Sequence, residues 1–324
     1  MISQSNWRGL PYHSIGQHYK AIFGEKVYKI PVSVAVTCPN REGFRGMQTC
    51  NFCDTWGSSA YPDLQGLELI SQIEESRERV LRRINAGKFL VYFQAYTTTF
   101  AKVAKLREQI AASLKVDKIV GIVVGTRPDC ISDALIDLLR EFSEKCYVSV
   151  EFGVQSFDEN QLIWMRRGHT AKKSMQALFR VSESCPKVNL GIHLMFGLPH
   201  ETDADAIKAA KICNSLPIDN VKLHNLHVLK NTSLAADFTA GKFVPISLSD
   251  YVDRAILFLQ HLNPRIAIHR LAALSSRREE LIAPKWTSKK MEIYQIFLNT
   301  MAERGSYQGQ SYKPLVDEVH HAQI

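Results

Sequence analysis

Apolar, β-branched stretches alternate along this chain with stretches whose apolar residues recur at helical spacing. Pro31–Thr37 (PVSVAVT) reads as a strand. Leu64–Ala86 reads as a helix with Leu67, Ile70, Ile73, Val80 and Leu81 along one side. Phe89–Gln94 is a second strand and Val103–Leu114 a second helix. Lys118–Val124 (KIVGIVV) is apolar almost throughout, as a strand covered on both faces should be. Ser132 caps the helix Asp133–Phe142. A fourth strand, Tyr147–Val154, is followed by helical stretches from Glu159 to Ser184. A fifth, Val188–Phe196, is followed by the helix Asp203–Ser215, and Val221–Leu229 is the sixth.

Six strand–helix units in succession predict a parallel sheet, curled into a barrel or part of one. Ligands of such sheets sit at the carboxyl ends of the strands. The polar and glycine-rich stretches fall there: Cys38–Cys53, Gln94–Thr99, Thr126–Asp129, Gln155–Ser156, Gly197–His200 and Lys230–Ser233. After about Gly241 the pattern changes to a helix (Leu248–His261), a short strand (Ile266–Arg270), a helix (Lys290–Glu303) and a polar tail. Residues 1–240 therefore read as a core barrel with an N-terminal extension, and 241–324 as a C-terminal extension packed on it.

Composition narrows the class. The 324 residues are 45% hydrophobic and 22% charged, ordinary for a globular chain whose core needs no disulfide staples. Met1 to Pro11 lacks a signal-peptide core, and apolar runs such as Ile119–Val124 are too short to span a bilayer. A cytoplasmic protein without a membrane partner is expected. The seven cysteines are odd in number, and Cys130, Cys146, Cys185 and Cys213 are scattered, unlike a secreted disulfide framework. The net charge of +8 fits either a polyanionic partner, nucleic acid first, or a solvated surface with extra lysine.

The chemistry concentrates in Cys38-Pro-Asn-Arg-Glu-Gly-Phe-Arg-Gly-Met-Gln-Thr-Cys50-Asn-Phe-Cys53. Three cysteines lie within sixteen residues, and no fourth Cys or His is near. A structural zinc site closes with four ligands, whereas an iron–sulfur cluster on three thiolates leaves one iron open to a ligand. The alternatives are a zinc site completed by distant His169 or His193, or a Cys50–Cys53 redox pair.

These residues resemble the radical S-adenosylmethionine (SAM) superfamily. The most specific sign is Cys50 and Cys53 with an aromatic, Phe52, between them. Eleven residues separate Cys38 from Cys50 where three is the common number. That departure is similar to the elongator catalytic subunit's radical SAM domain and to the bacterial YhcC-like family. Tyr92–Thr97, Gly125–Asp129, Glu151–Ser156, Arg167–Thr170, Gly197–Pro199 and Arg304–Gly309 resemble further motifs of that group, so the likeness runs from about residue 10 to about 310. After Arg270 the expected Gly- and Asp-containing stretch is missing. The residues after 241 leave no room for an acetyltransferase domain, so acetyl transfer is not implied.

The resemblance implies an α/β fold, a partial (β/α)6 TIM-like barrel with a helical C-terminal extension. It implies a [4Fe–4S] cluster on Cys38, Cys50 and Cys53, with SAM on the open iron. An electron from flavodoxin or ferredoxin would then cleave SAM to a 5′-deoxyadenosyl radical. Phe52 is expected against the adenine. Gln94 and Thr97 are expected at the methionyl amine or ribose, and Gln155 lies in the fourth-strand motif. Glu151, a charge inside an apolar strand, must be paired or functional and is assigned to SAM contact over a structural salt bridge. Arg167 is assigned to the SAM carboxylate, and Gly197 to close backbone approach to the adenine. Lys222, His224 and His227, on the sixth strand, are candidates to face substrate, with Lys222, His224 and Leu226 on one face and His227 on the other; His193 reads as core. The catalytic residues are not identified. The relatives' chemistry implies tRNA, at C5 of a wobble uridine, with Arg277, Arg278, Lys285, Lys289, Lys290 and Trp286 as contacts. A small-molecule or cofactor-biosynthesis substrate, or a non-catalytic metal-binding protein, are the competing readings.

Overall fold

Side chains alternate across a strand, and here the two faces differ sharply in chemistry. Outward positions Ile30 and Val32, Phe89, Val91 and Phe93, Val148, Val150 and Phe152, and Leu190, Ile192 and Leu194 join one apolar core with the surrounding helices. Inward positions carry Lys29, Tyr92, Glu151, His193 and Lys222 instead. The computed structural model describes residues 7, 9–57, 59–275 and 277–314; the polar tail after residue 314 lies outside them.

The strands are β1 (Val27–Val32), β2 (Lys88–Phe93), β3 (Ile119–Thr126), β4 (Tyr147–Gln155), β5 (Asn189–Phe196), β6 (Asn220–Asn225), β7 (Val228–Leu229), β8 (Ala267–Ile268) and β9 (Leu281–Ala283). The helices are α1 (Ile15–Phe23), α2 (Leu69–Leu81), α3 (Val103–Ser113), α4 (Asp133–Ser143), α5 (Glu159–Trp164), α6 (Ala171–Ser184), α7 (Asp203–Ser215), α8 (Ser233–Thr239), α9 (Leu248–His261) and α10 (Lys290–Glu303). Seven strands form one parallel sheet in the order β1-β2-β3-β4-β5-β6-β8, a half-barrel with helices outside. Ser132 caps α4 by accepting from the Leu135 N–H, as read from the sequence.

Several boundaries differ from the sequence reading. The first strand ends at Val32, not Thr37. Pro31 sits in it because β1 is an edge strand, where a missing N–H leaves no ladder gap; residues 33–37 leave the sheet and carry the chain to Cys38. The run 221–229 breaks at Asn225, and β7 pairs antiparallel with β9. The strand near 267 is the sheet's seventh member, paired with β6.

Helix α1 was not anticipated. Ser14 caps it in a reciprocal capping box with Gln17, and Gly24 ends it in the left-handed conformation. It seals the amino end of the half-barrel. Tyr19 meets the rings of Tyr147 and His269 edge-on, at 6.1 and 6.4 Å between centroids. On its far side the segment before it borders β8: Ser14 bridges Ile268, and the Ile268 N–H donates to the His13 carbonyl at 2.8 Å.

Candidate active site

Above the carboxyl ends of the strands lies a cavity of about 330 Å³. Cys38, Cys50 and Cys53 line it together with Phe52, Gln94, Thr97, Glu151, Gln155 and Arg167.

The long loop between Cys38 and Cys50 is tied down by side chains that replace missing backbone partners. Buried Asn40 donates to the carbonyls of Gln48, 2.6 Å, and Arg166, 2.8 Å. Its own oxygen accepts from Arg127. Arg127 is held by both Asp129 oxygens at 2.9 Å and donates to the Arg167 carbonyl at 2.7 Å. Asn51 donates to the Trp164 carbonyl at 2.8 Å. The motifs at 125–129 and 164–170 are thus the frame on which the cysteine loop rests. Gly168 belongs to that frame: its φ is +70°, and a Cβ there would lie 2.9 Å from the Met47 sulfur.

Two arginines stand beside the thiols. Arg167 Nη1 lies 3.3 Å from Cys50 Sγ, and Arg41 Nη2 3.5 Å from Cys53 Sγ. Burial pushes the Cys53 thiol up to about 11, helped by Cys50 and Cys38 and opposed by Arg41. Without a metal the thiol keeps its proton, so a metal must displace that proton to bind.

Below the thiols, at the barrel floor, Glu151 is fully buried. Lys29 pairs with one of its oxygens. His193 Nε2, at 2.8 Å, and Lys222 Nζ, at 3.3 Å, reach the other. Both lysines lie over the Tyr92 ring, at 5.0 and 4.8 Å. Gly191 makes room for this group, since a Cβ there would meet Asn220 Oδ1 at 2.3 Å and Glu151 Cγ at 3.3 Å. Arg270 completes the cluster through His224, 2.7 Å from Nη2 to the ring. Burial, then Lys222 and Arg270, push Lys29 well below the ordinary lysine range; burial foremost also lowers Lys222, and it pulls Arg270 down to about 10. His193, His224 and His269 are all driven well below 6.5, chiefly by burial and then by neighbouring cations, so they are neutral.

The family model described as "Radical SAM superfamily" matches residues 32–213, and that of the Radical_SAM C-terminal domain matches 218–303. The chain belongs to the radical SAM superfamily. It is 34% identical over 298 residues to protein YhcC of Escherichia coli K12, covering 90% of this chain and 94% of that one. It is 32% identical over 307 residues to YtqA of Bacillus subtilis, covering 95% and 94%. A 121-residue stretch, 37% of this chain and 26% of the other, is 29% identical to tRNA-2-methylthio-N(6)-dimethylallyladenosine synthase of Cellvibrio japonicus. Among solved structures, the archaeal Elp3 of Methanocaldococcus infernus superposes with a TM-score of 0.65 at 15% identity. That match covers 87% of this chain and 64% of that one and bears on the fold.

Radical SAM proteins typically use a [4Fe–4S] cluster and SAM, and the residues here fit both. Three free thiols face one cavity. Among the described residues no three His, Cys, Asp or Glu groups crowd together as a single-ion site would require; ligands of a cluster each hold a different iron. Buried polar atoms around the cavity lack protein partners, among them Arg167 Nε, Gln155 Oε1, Asn225 Nδ2 and His227 Nε2. Such atoms call for a ligand or a water.

Most residues singled out in the sequence converge on this cavity; Gly197 does not line it. Gly197 packs against Ile246, 2.5 Å from where its Cβ would stand, and donates to Glu201 at 2.6 Å. Glu151 faces the cavity, but Lys29, His193 and Lys222 already occupy its oxygens. His193 belongs to the floor cluster rather than the apolar core. His227 lines the cavity together with Lys222 and His224, because the chain has left the strand beyond Asn225. Trp286 is not presented for stacking: its ring packs 5.3 Å from Tyr251, and Nε1 donates to Ile246 O. Arg277 lines the rim bound to Asp54 and Glu280. Lys29 and Asn225 were not singled out, and Tyr92 and Arg270 were noted only as landmarks of motifs, without a role in the site. Lys29, a charge within VYKIPV, was the one with a signal to read.

Proposed function

We propose that this radical SAM enzyme modifies tRNA, at the C5 side chain of a wobble uridine, with Cys38, Cys50 and Cys53 holding a [4Fe–4S] cluster. Bound together, the cluster and SAM supply a 5′-deoxyadenosyl radical for hydrogen abstraction. The chain's own residues position and shield that chemistry. Arg167 and Arg41 stabilise two of the thiolates. Phe52 offers a face to the adenine. Gln94, Thr97 and Gln155 offer hydrogen bonds to the polar edges of SAM from the ends of β2 and β4, and Arg167 meets its carboxylate. Flavodoxin or ferredoxin is the proposed electron donor.

The observation that carries the tRNA reading is the similarity of 121 residues to a tRNA-modifying synthase. The net charge of +8 agrees with it. Arg278, Lys285 and Lys289 are exposed, though Lys289 pairs with Glu292 and Lys285 donates to the Leu281 carbonyl.

The test is anaerobic. The protein is reconstituted with iron and sulfide, reduced, and examined by EPR before and after SAM, with 5′-deoxyadenosine assayed alongside. It is then incubated with tRNA from cells lacking it, and the nucleosides are read by mass spectrometry. A SAM-perturbed signal and a mass change in one uridine support the proposal. SAM cleavage with tRNA unchanged redirects it to a small-molecule substrate, and a cluster indifferent to SAM ends it.

A further inference from the structure

The floor of the cavity is short of negative charge. Among the described residues Lys29, Lys222 and Arg270 share a single carboxylate, Glu151, whose oxygens are taken by Lys29, His193 and Lys222. Arg270 donates to the Leu223 carbonyl at 3.2 Å and to the neutral His224 ring; among the described residues no carboxylate pairs with it. Beside it, Asn225 is 2% exposed, its oxygen accepts from the Ala273 N–H at 2.8 Å, and its Nδ2 has no acceptor. Lys222, Asn225 and Arg270 all line the cavity. Buried cations without counter-charge are costly, and a buried donor without an acceptor adds to that cost. Both deficits lie on the β6–β8 side, at one edge of the sheet.

We infer that Lys222, Arg270 and Asn225 form a recess that binds a carboxylate of the substrate. The inference rests on the cavity being the radical SAM active site, and it narrows the substrate to a molecule whose reactive part bears a terminal acid group. For tRNA, that is a nucleoside whose side chain ends in a carboxylate. A backbone phosphodiester is flanked by sugars on both sides and does not reach a floor where the Lys222 side chain is 14% exposed. The SAM carboxylate is a poor candidate, because the thiols follow β1 at the opposite edge and Arg167 already stands beside them.

The test uses the reconstituted, SAM-loaded protein and three probes: phenylacetate, its neutral isostere phenylacetamide, and inorganic phosphate. Melting temperature reads binding, since a ligand for the native state stabilises it by mass action. Phenylacetate should raise Tm saturably and phenylacetamide should not. Arg270→Gln should weaken phenylacetate about tenfold or more, Arg270→Lys should restore part of it, and SAM affinity should stay within about twofold. Lys222→Gln is the second variant should Arg270→Gln not fold. Equal shifts from phenylacetate and phenylacetamide, no saturable shift from either, tighter binding of phosphate, or a loss confined to SAM affinity would each overturn the assignment. The tRNA reading fails separately. A protein that takes phenylacetate and cleaves SAM but leaves every tRNA unchanged keeps the recess and loses that substrate.

Discussion

Arg167 holds two parts of the site at once: Nη1 lies 3.3 Å from the Cys50 sulfur, and Nη2 donates to the Gly153 carbonyl at 2.9 Å. It thereby links the cysteine loop to β4. Removing the charge should destabilise the bound thiolate. Arg167→Gln is expected to lower iron affinity about 10–100-fold, as losses around metal ligands do. It should also move the cluster potential downward, because a positive neighbour favours the reduced state. Chelator competition and EPR-monitored titration measure the two effects; wild-type behaviour in both would remove Arg167 from the site.

Each of Cys38→Ala, Cys50→Ala and Cys53→Ala should abolish a stable cluster, while Cys130→Ala and Cys213→Ala should retain about four irons per chain. Iron and sulfide analysis after anaerobic reconstitution decides it. Because the Cys53 thiol is raised to about 11, loading should release protons and quicken as pH rises.

Glu151→Gln removes the carboxylate that pairs with Lys29 and Lys222. Breaking a buried pair from one side leaves uncompensated charge, and the expected loss is about 3–5 kcal/mol. The double variant Glu151→Gln/Lys29→Met should recover part of it. Urea unfolding of the three proteins tests this; equal losses in the single and double variants would show that Lys29 is not the partner that matters.

Stability should fall on the acid side. Burial holds His169 near 3 and His227 and His18 near 4, with His193, His224 and His269 also well below 6.5. A folded-state value below the unfolded one gives stability that is complete above pH 6.5 and is lost as pH falls, because unfolding lets the ring take up a proton. Each histidine contributes a slope of up to ~1.4 kcal/mol per pH unit. The urea midpoint of the apo chain should therefore drop between about pH 7 and about pH 5, and less so in His169→Gln. A flat midpoint would mean that these rings are solvated.

The sequence disclosed the parallel sheet because most strands have apolar outer faces and begin or end at turn residues. It disclosed the three thiols because their spacing is local. The floor cluster was hidden. Lys29, Tyr92, Glu151, Lys222 and Arg270 come from β1, β2, β4, β6 and the segment after β8, and only closure of the sheet brings them together. Glu151 was visible as a charge in an apolar strand, but its partners were not. Trp286 shows the reverse error: its indole reads as a stacking surface until Tyr251 and Ile246 are seen to claim it.

Gln308 latches the last part of the chain to the first. Its N–H donates to the Pro11 carbonyl at 2.9 Å, its side-chain oxygen accepts from the His13 N–H at 2.9 Å, and its amide donates to the carbonyls of Asn263 and Ile266 at 3.0 and 2.8 Å. The segment before α1 thus finds a partner 295 residues further along the chain. Folding that follows synthesis from the N-terminus cannot seat the segment before α1 against β8 until residue 268 is made. A nascent chain stalled before β8 would hold its cysteine loop with the Arg270 side of the cavity missing.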